Sequence, residues 1–182
     1  MSTLIVSATP EEAAFVPHGL PLLVTGLGKT AAAAHLSREL ARRPEITRIV
    51  NIGTAGALHD HLSGLHVIGR VINHDISAEA IRSLGYPLED ELNLDAESDI
   101  RLATGDVFVT DPVVRAALAR RADLVDMEGF ALAWTARLFE VEAVLVKHVS
   151  DNADASALDW PALVDRSAQA LGAWLSETFP LR

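Results

Sequence analysis

Three acidic positions stand where strands should end. Glu12 follows Leu4-Ile5-Val6, Asp126-Met127-Glu128 follows Leu124-Val125, and Ser150-Asp151 follows Val144 to Val149. Short runs that are apolar without alternation suit strands covered on both faces. In parallel α/β sheets, ligands bind beyond the carboxyl ends of the strands. Acids on three separate crossovers can therefore meet in one crevice, where carboxyls in different surroundings divide into a proton donor and a proton acceptor. Taken one at a time, each acid is better read as a helix cap, because Asp and Glu are ordinary helix-start residues. Gly53-Thr54-Ala55-Gly56, after Ile49-Val50-Asn51, supplies a small-residue loop at the same edge, against which a flat ligand can lie.

The elements that must position these residues alternate along the chain. Strands are expected at Leu4-Ile5-Val6, Leu22-Leu23-Val24, Ile49–Asn51 and Val144-Leu145-Val146. An alanine-rich helix is expected from Lys29 to Arg43, closed by Arg42-Arg43 and Pro44. A second runs from Pro112 to Arg121, with Asp111 as N-cap and proline at the first helical position. A third, Glu128 to Val141, carries Phe130, Trp134, Leu138 and Val141 on one stripe. A fourth, Trp160 to Phe179, carries Leu163, Ala170 and Trp174, with Asp159 as cap. Strands alternating with helices imply an α/β layered domain with a largely parallel core sheet. No linker or repeat divides residues 1–182, so a single domain is expected.

Composition narrows the partners. Fifteen Lys and Arg against 25 Asp and Glu leave a net charge of −10, which argues against nucleic acid or an anionic membrane. With no cysteine, disulfides, thiolate zinc sites and a cysteine nucleophile are excluded. No basic residue precedes Glu11-Glu12, and no apolar run reaches a membrane span, so a cytoplasmic location is expected. Gly28-Lys29-Thr30 opens a helix as a phosphate loop does, but Leu23 stands where that motif needs its first glycine. Gly26 and Gly28 instead suit a tight strand-to-helix turn. Asp151-Asn152-Ala153-Asp154 lacks the ligand and glycine of a calcium loop. His59, His61 and His66 match no helical ligand pair and read as solvated loop residues, and the acids of 89–99 read as a solvated loop.

Read in order, the motifs become recognisable. Ser7-Ala8-Thr9-Pro10-Glu11-Glu12, Thr25-Gly26-Leu27-Gly28-Lys29, Asn51-Ile52-Gly53-Thr54-Ala55-Gly56-Ala57-Leu58, Gly105-Asp106-Val107-Phe108-Val109, Asp126-Met127-Glu128 and Val149-Ser150-Asp151 together resemble the nucleoside phosphorylase/nucleosidase superfamily. The resemblance is closest to its 5′-methylthioadenosine/S-adenosylhomocysteine nucleosidase branch, runs from about Leu4 to Trp160, and implies an α/β fold of three layers, αβα, around a central mixed, largely parallel twisted sheet. It implies a purine nucleoside as the small-molecule partner, Asp151 as the acid at N7 of the base, and Glu12 as the carboxylate that activates water beneath the anomeric carbon. It implies Glu128 on the ribose hydroxyls with Met127 packed on the sugar, Phe108 and Val109 at the base, Thr54 beside the water or sugar, and Trp160 over the 5′ substituent. Ala8, Leu27, Ala55, Gly56, Asp126 and Ser150 fall at further substrate-contacting positions. His74-Asp75 and Tyr86 lie in a stretch that in the family reaches toward the partner subunit of a homodimer.

The N-ribosidic bond of such a nucleoside breaks through an oxocarbenium-like transition state, and an acid must neutralise charge growing on the departing base. An aspartate of ordinary pKa, ~3.9, is mostly ionised at neutral pH, so burial must favour its protonated form, while Glu12 must stay ionised. This chemistry requires no metal or organic cofactor. A phosphorylase would have to hold a phosphate dianion, usually with arginine. One branch of the superfamily has that arginine three residues before the Thr54 position, where this chain has Asn51, and an acid at Glu12 repels phosphate. Hydrolysis is therefore expected over phosphorolysis. A futalosine-type hydrolase and a purine-binding module without turnover are the alternatives. The chain departs from the family in its short 13–25 and 87–104 segments, in Gly129 for the common alanine, and in Lys147 for the usual arginine.

Overall fold

The computed structural model describes residues 2–94, 97–154, 157 and 160–180, with the backbone alone at 160 and 161. Along the described chain run β1 (Ser2–Ser7), β2 (Leu22–Val24), α1 (Lys29–Arg42), β3 (Ile46–Ala57), β4 (Leu65–Val67), β5 (Arg70–Asn73) and α2 (Ala78–Ser83). Then follow β6 (Glu91–Asn93), β7 (Arg101–Thr104), α3 (Pro112–Leu118), β8 (Leu124–Asp126), α4 (Gly129–Leu138), β9 (Glu142–Asp151) and α5 (Trp160–Thr178). No helix among the described residues is long and apolar enough to cross a membrane.

The strands form one mixed, largely parallel sheet in the order β2-β1-β3-β8-β7-β5-β6, with β9 on the other edge of β3 and β4 beyond it. β3 organises the rest. Its first half, rich in β-branched residues (Ile46, Thr47, Ile49, Val50, Ile52), pairs in parallel with β1 as far as Asn51 opposite Val6. Its last residues, Gly56 and Ala57, pair antiparallel with β8 on that same edge. β9 runs parallel along the opposite edge from Arg48 to Gly56. Between Asn51 and Gly56, β3 therefore has no strand on one edge. That fork, where the ladders part, is the topological switch at which an open α/β sheet forms a crevice.

Helices cover both faces. Leu36 and Leu40 of α1 and Leu132 and Ala136 of α4 pack on Leu4, Val6 and Ile49. On the other face Leu171 and Leu175 of α5 pack on Ile5, Val50, Ile52 and Val146. α1 has no side-chain cap of its own; Asp106 Oδ1 accepts the Lys29 N–H at 2.8 Å. α3 begins as expected, with Asp111 accepting from Val113 N, but stops at Leu118 in a turn that sends the Arg121 and Ala122 N–H groups back to the Leu118 carbonyl.

Two expected faces are corrected. α4 is buried almost all round, and Leu138 is exposed, because the helix ends there and the Val141 N–H returns to the Ala136 carbonyl past Glu140 at φ 57. In α5 the stripe is one residue out of phase: Val164, Ala168, Leu171 and Leu175 are buried, while Leu163, Ala170 and Trp174 flank them. Apolar neighbours such as Trp174 and Leu175 leave the phase ambiguous until the sheet selects one. Nor is the acidic segment simply solvated. Glu89 holds Arg137 at 2.7 and 2.8 Å, Glu91 holds Arg70 at 2.7 Å, and buried Asp90 pairs with Arg82. Asp95, within that segment, and Asp159 lie outside the described residues.

Leu132 is fully buried between α4, α1 and the sheet. Leu132→Ala is expected to cost roughly 2–5 kcal/mol, read as a lowered denaturant midpoint with an unchanged slope.

Candidate active site

A cavity of about 400 Å³ opens at the fork of β3. Its wall brings together Ala8, Glu12, Leu27, Thr54, Ala55, Gly56, Phe108, Val109, Asp126, Met127, Glu128, Ser150 and Asp151. All the expected site residues but Trp160 thus line one space. Trp160 starts α5, and its side chain lies outside the described residues. The sequence reading missed Val107, Val125, Ala153 and Ala157 in the same wall.

Each acid is held differently. Glu12 sits in the turn after β1, where its own N–H donates to Thr9 Oγ1 at 3.2 Å. Its Oε1 accepts from Thr54 N at 2.7 Å and from Thr54 Oγ1 at 2.8 Å. Those donors lie on the edge of β3 that neither β1 nor β8 reaches, so the carboxylate takes the place of a missing strand. Ser7 Oγ lies 3.3 Å from the other oxygen, Oε2. Glu128 stands at the N-cap position of α4, but its side chain makes no capping bond; its Oε1 instead accepts the Gly28 N–H at 2.7 Å. Gly28 offers that N–H from a turn with φ 83 at Gly26 and φ 89 at Gly28, a backbone region that glycine alone adopts freely.

The side chain that caps α4 is that of Asp126. Its Oδ2 accepts from Gly129 N at 2.8 Å and its Oδ1 from Thr104 Oγ1 at 2.6 Å, while Phe130 N donates to Thr104 Oγ1 at 2.9 Å. A β-carbon at residue 129 would fall 2.6 Å from Leu102 Cδ2 and 3.0 Å from Asp126 Oδ2, which explains glycine at that position. Asp151 is aimed by a bulge: Ala55 opposes Val149, but Gly56 opposes Asp151, leaving Ser150 as the extra residue. Its Oδ2 accepts from Ser150 Oγ at 2.6 Å and its Oδ1 from Ala153 N at 2.8 Å, with Ala153 at φ 50. A β-carbon at Gly56 would lie 3.0 Å from Asp151 Oδ1, so only glycine lets the carboxyl come this close to β3.

One cation sits among these acids. Lys147, in β9 opposite Gly53, is 1% exposed, and its Nζ lies 2.9 Å from Asp126 Oδ2. Burial works against the ammonium, yet Asp126, Glu128 and Glu12 together outweigh it and raise its pKa above that of an ordinary lysine. Burial, then the Asp126 charge, push Glu128 up to about 7 against the pull of Lys147 and the Gly28 N–H. A charged residue inside the run Val144 to Val149 was the signal for this lysine.

The mouth is apolar. Leu27 and Val107 are 63% and 61% exposed, and Phe108 is half exposed, while Val109 is buried. The two loops that carry them are tied together. Lys29 pairs with Asp75, and Asp75 Oδ2 accepts the Asp106 N–H at 2.7 Å. Asp75, from the His74-Asp75 pair expected near a partner subunit, thus joins the two loops within the chain.

Residues 18–179 match the phosphorylase superfamily. The chain belongs to that superfamily. A 5′-methylthioadenosine/S-adenosylhomocysteine nucleosidase of Bacillus thuringiensis (strain Al Hakam) is 29% identical over 160 residues, spanning 74% of this chain and 68% of the relative. A solved Helicobacter pylori enzyme of the same name superposes with a TM-score of 0.84 at 18% identity, covering 96% of each chain. It is complexed with a pyrrolidinol carrying an aminopyrrolopyrimidine and a propynylthio group. Futalosine hydrolase of the same species shares the fold, with a TM-score of 0.82 at 20% identity over 96% of this chain and 95% of that one. In this chain the fork, the cavity and the acids around it are therefore set in a phosphorylase-superfamily fold.

Because Glu128 binds its proton more tightly when folded than when unfolded, it favours folding at low pH. That contribution is lost as pH rises from its unfolded value toward about 7. Glu128→Gln should therefore gain stability relative to the parent, by on the order of 1–3 kcal/mol, as pH rises from about 5 to 8. Thermal unfolding across that range checks this, and a constant difference contradicts it.

Proposed function

We propose that this chain hydrolyses the N-ribosidic bond of a purine nucleoside of the methylthioadenosine/S-adenosylhomocysteine type, releasing free base and free sugar. The observation that carries this reading is the convergence of Glu12, Glu128 and Asp151, from three separate crossovers, on one cavity of about 400 Å³. The nucleosidase relative supports it.

In this reading the purine lies between Phe108 and the small residues Ala55 and Gly56, with backbone groups at Val109 meeting its edge. Asp151 gives a proton to N7 as the bond between C1′ and N9 breaks and its electron pair moves into the ring. Glu128, with one oxygen fixed by the Gly28 N–H, takes the ribose hydroxyls with the other. Glu12 accepts a proton from the water that attacks C1′. Met127 packs on the sugar, and the apolar mouth at Leu27 and Val107 receives a thioether-bearing 5′ group.

Water suits the site better than phosphate. The Thr54 donors that would meet an anion are taken by Glu12. Asn51 is buried, and its Nδ2 donates to the Val6 carbonyl at 3.1 Å, which removes it from the cavity. A homodimer and a cytoplasmic role in purine and methionine salvage belong to the same reading; Leu84 and Tyr86, 74% and 67% exposed, offer it a contact surface.

The test follows base release from methylthioadenosine, S-adenosylhomocysteine, adenosine, inosine and futalosine, with and without phosphate. Expected is release of base without phosphate from a thioether-bearing adenine nucleoside, with the 5-thio-substituted ribose as co-product. Asp151→Asn and Glu12→Gln should each lose roughly 10²–10⁴ in kcat while still unfolding cooperatively. Ribose 1-phosphate as product, or full activity in Asp151→Asn, would contradict the reading, and purine binding without any turnover would favour a binding module.

A further inference from the structure

Two neighbouring amides at the start of α1 each hold an acid from a different element. The Gly28 N–H meets Glu128 Oε1 at 2.7 Å, and the Lys29 N–H meets Asp106 Oδ1 at 2.8 Å. Glu128 is the acid that takes the ribose hydroxyls in the proposed reaction. Asp106 stands at the root of the loop after β7 that carries Phe108 and Val109, the base side of the cavity. α1 is 14 residues long and has no capping side chain of its own, so its first N–H groups and the positive end of its dipole serve these two carboxylates. A β-carbon at Gly28, where φ is 89, would lie 3.1 Å from Asp106 Oδ1, so the close approach needs glycine.

Asp106 is itself backed. Its N–H donates to Asp75 Oδ2 at 2.7 Å, and Asp75 Oδ1 accepts from the Lys29 ammonium. The three residues close a ring: Lys29 backbone to Asp106 carboxylate, Asp106 backbone to Asp75 carboxylate, Asp75 carboxylate to Lys29 side chain. Asn73 Oδ1 accepts from the same ammonium at 2.9 Å. Partial burial works against the Asp75 carboxylate, yet Lys29 and the Asp106 N–H outweigh it and hold its pKa below the ordinary value. His74 adds a second hold: its N–H donates to the Thr104 carbonyl at 3.0 Å, and a β-carbon at Gly105 would collide with its ring. An exposed ion pair alone is worth little. Here two of the three links end on backbone amides, which have no rotamers to lose. None of the three residues stands in the cavity wall.

Resting on the placement of base and sugar in the proposed function, we propose that Asp106 is a positioning residue: with Asp75 and Lys29 behind it, it sets the base loop at a fixed distance from Glu128 by tying both to successive amides of one helix. It touches no substrate atom. A nucleoside carries base and sugar at one covalent spacing, so it gains when its two half-sites are preset at that spacing and the second contact becomes intramolecular. Adenine alone needs only the base loop and follows it wherever it settles. Opening the ring therefore weakens the two-point ligand and spares the base.

The test measures two affinities by calorimetry, for adenine and for a carbon-linked methylthioadenosine analogue that water cannot cleave, in the parent and in Asp106→Ala, Asp106→Asn and Asp75→Asn. Asp106→Ala should lose about tenfold or more in affinity for the analogue, the scale of one hydrogen bond to a charged acceptor, and keep adenine within about threefold. Asp106→Asn keeps an oxygen for the Lys29 N–H and should recover most of the loss. Asp75→Asn offers one oxygen to two donors, opens the ring at one link, and should fall between them. General damage to the fold would weaken both ligands together. Equal losses for the two ligands, or an unchanged affinity for the analogue in a folded Asp106→Ala, overturn the proposal. If Asp106→Ala does not fold, the same ratio in Asp75→Asn decides.

Turnover separates this proposal from the proposed hydrolysis. If the parent binds the analogue but releases no base from methylthioadenosine, the hydrolysis fails and the affinity ratio still decides the positioning role. If the parent gains nothing from the sugar, or binds neither ligand, there is no two-point advantage to lose and the positioning role fails.

Discussion

An ammonium 2.9 Å from an aspartate, both almost sealed from water, holds the two halves of the cavity together. Lys147 belongs to β9 and Asp126 to β8, strands that flank opposite edges of β3. Removing either partner alone leaves an uncompensated buried charge, which typically costs about 3–5 kcal/mol. Replacing the pair by apolar side chains would cost the fold less.

The backbone makes room for it. β3 leaves β1 after Asn51 and meets β8 only at Gly56, so one edge is free in between. Glu12 fills part of that edge by accepting both Thr54 donors. The small residues there serve separate purposes: Gly53 admits Lys147 and Glu12, Gly56 admits the Asp151 turn, and Ala55 leaves the cavity floor low. Each acid is fixed by the protein through at least one oxygen before any ligand arrives, which is the preorganisation that favours charge development in a transition state.

Much of this was legible in the residue order. The acids could be found because each follows an apolar run, and the α1 and α3 starts because Ala, Pro and Asp mark them. The distinction between cap and site residue was not legible. Asp126 does cap α4, whereas Glu128, two residues on, turns to Gly28, a hundred positions away in the chain. Only the tertiary turn at Gly26 and Gly28 decides which acid does which. β4 to β7 span three or four residues each and mix polar with apolar types, so no period could show. Lys147 read as an interruption in an apolar strand because its partner, Asp126, and the space over Gly53 both come from elsewhere in the sheet.

In the proposed hydrolysis one ribosyl–purine linkage must span Asp151, Glu128 and Glu12. A crystal structure with a carbon-linked adenosine analogue, whose bond water cannot cleave, tests it most directly. Expected is the base against Phe108 with N7 in hydrogen-bonding reach of the Asp151 carboxyl, the sugar hydroxyls on Glu128, and Glu12 facing the anomeric carbon through a water. An analogue bound outside this cavity, or inside it with its sugar turned away from both glutamates, would contradict the claim.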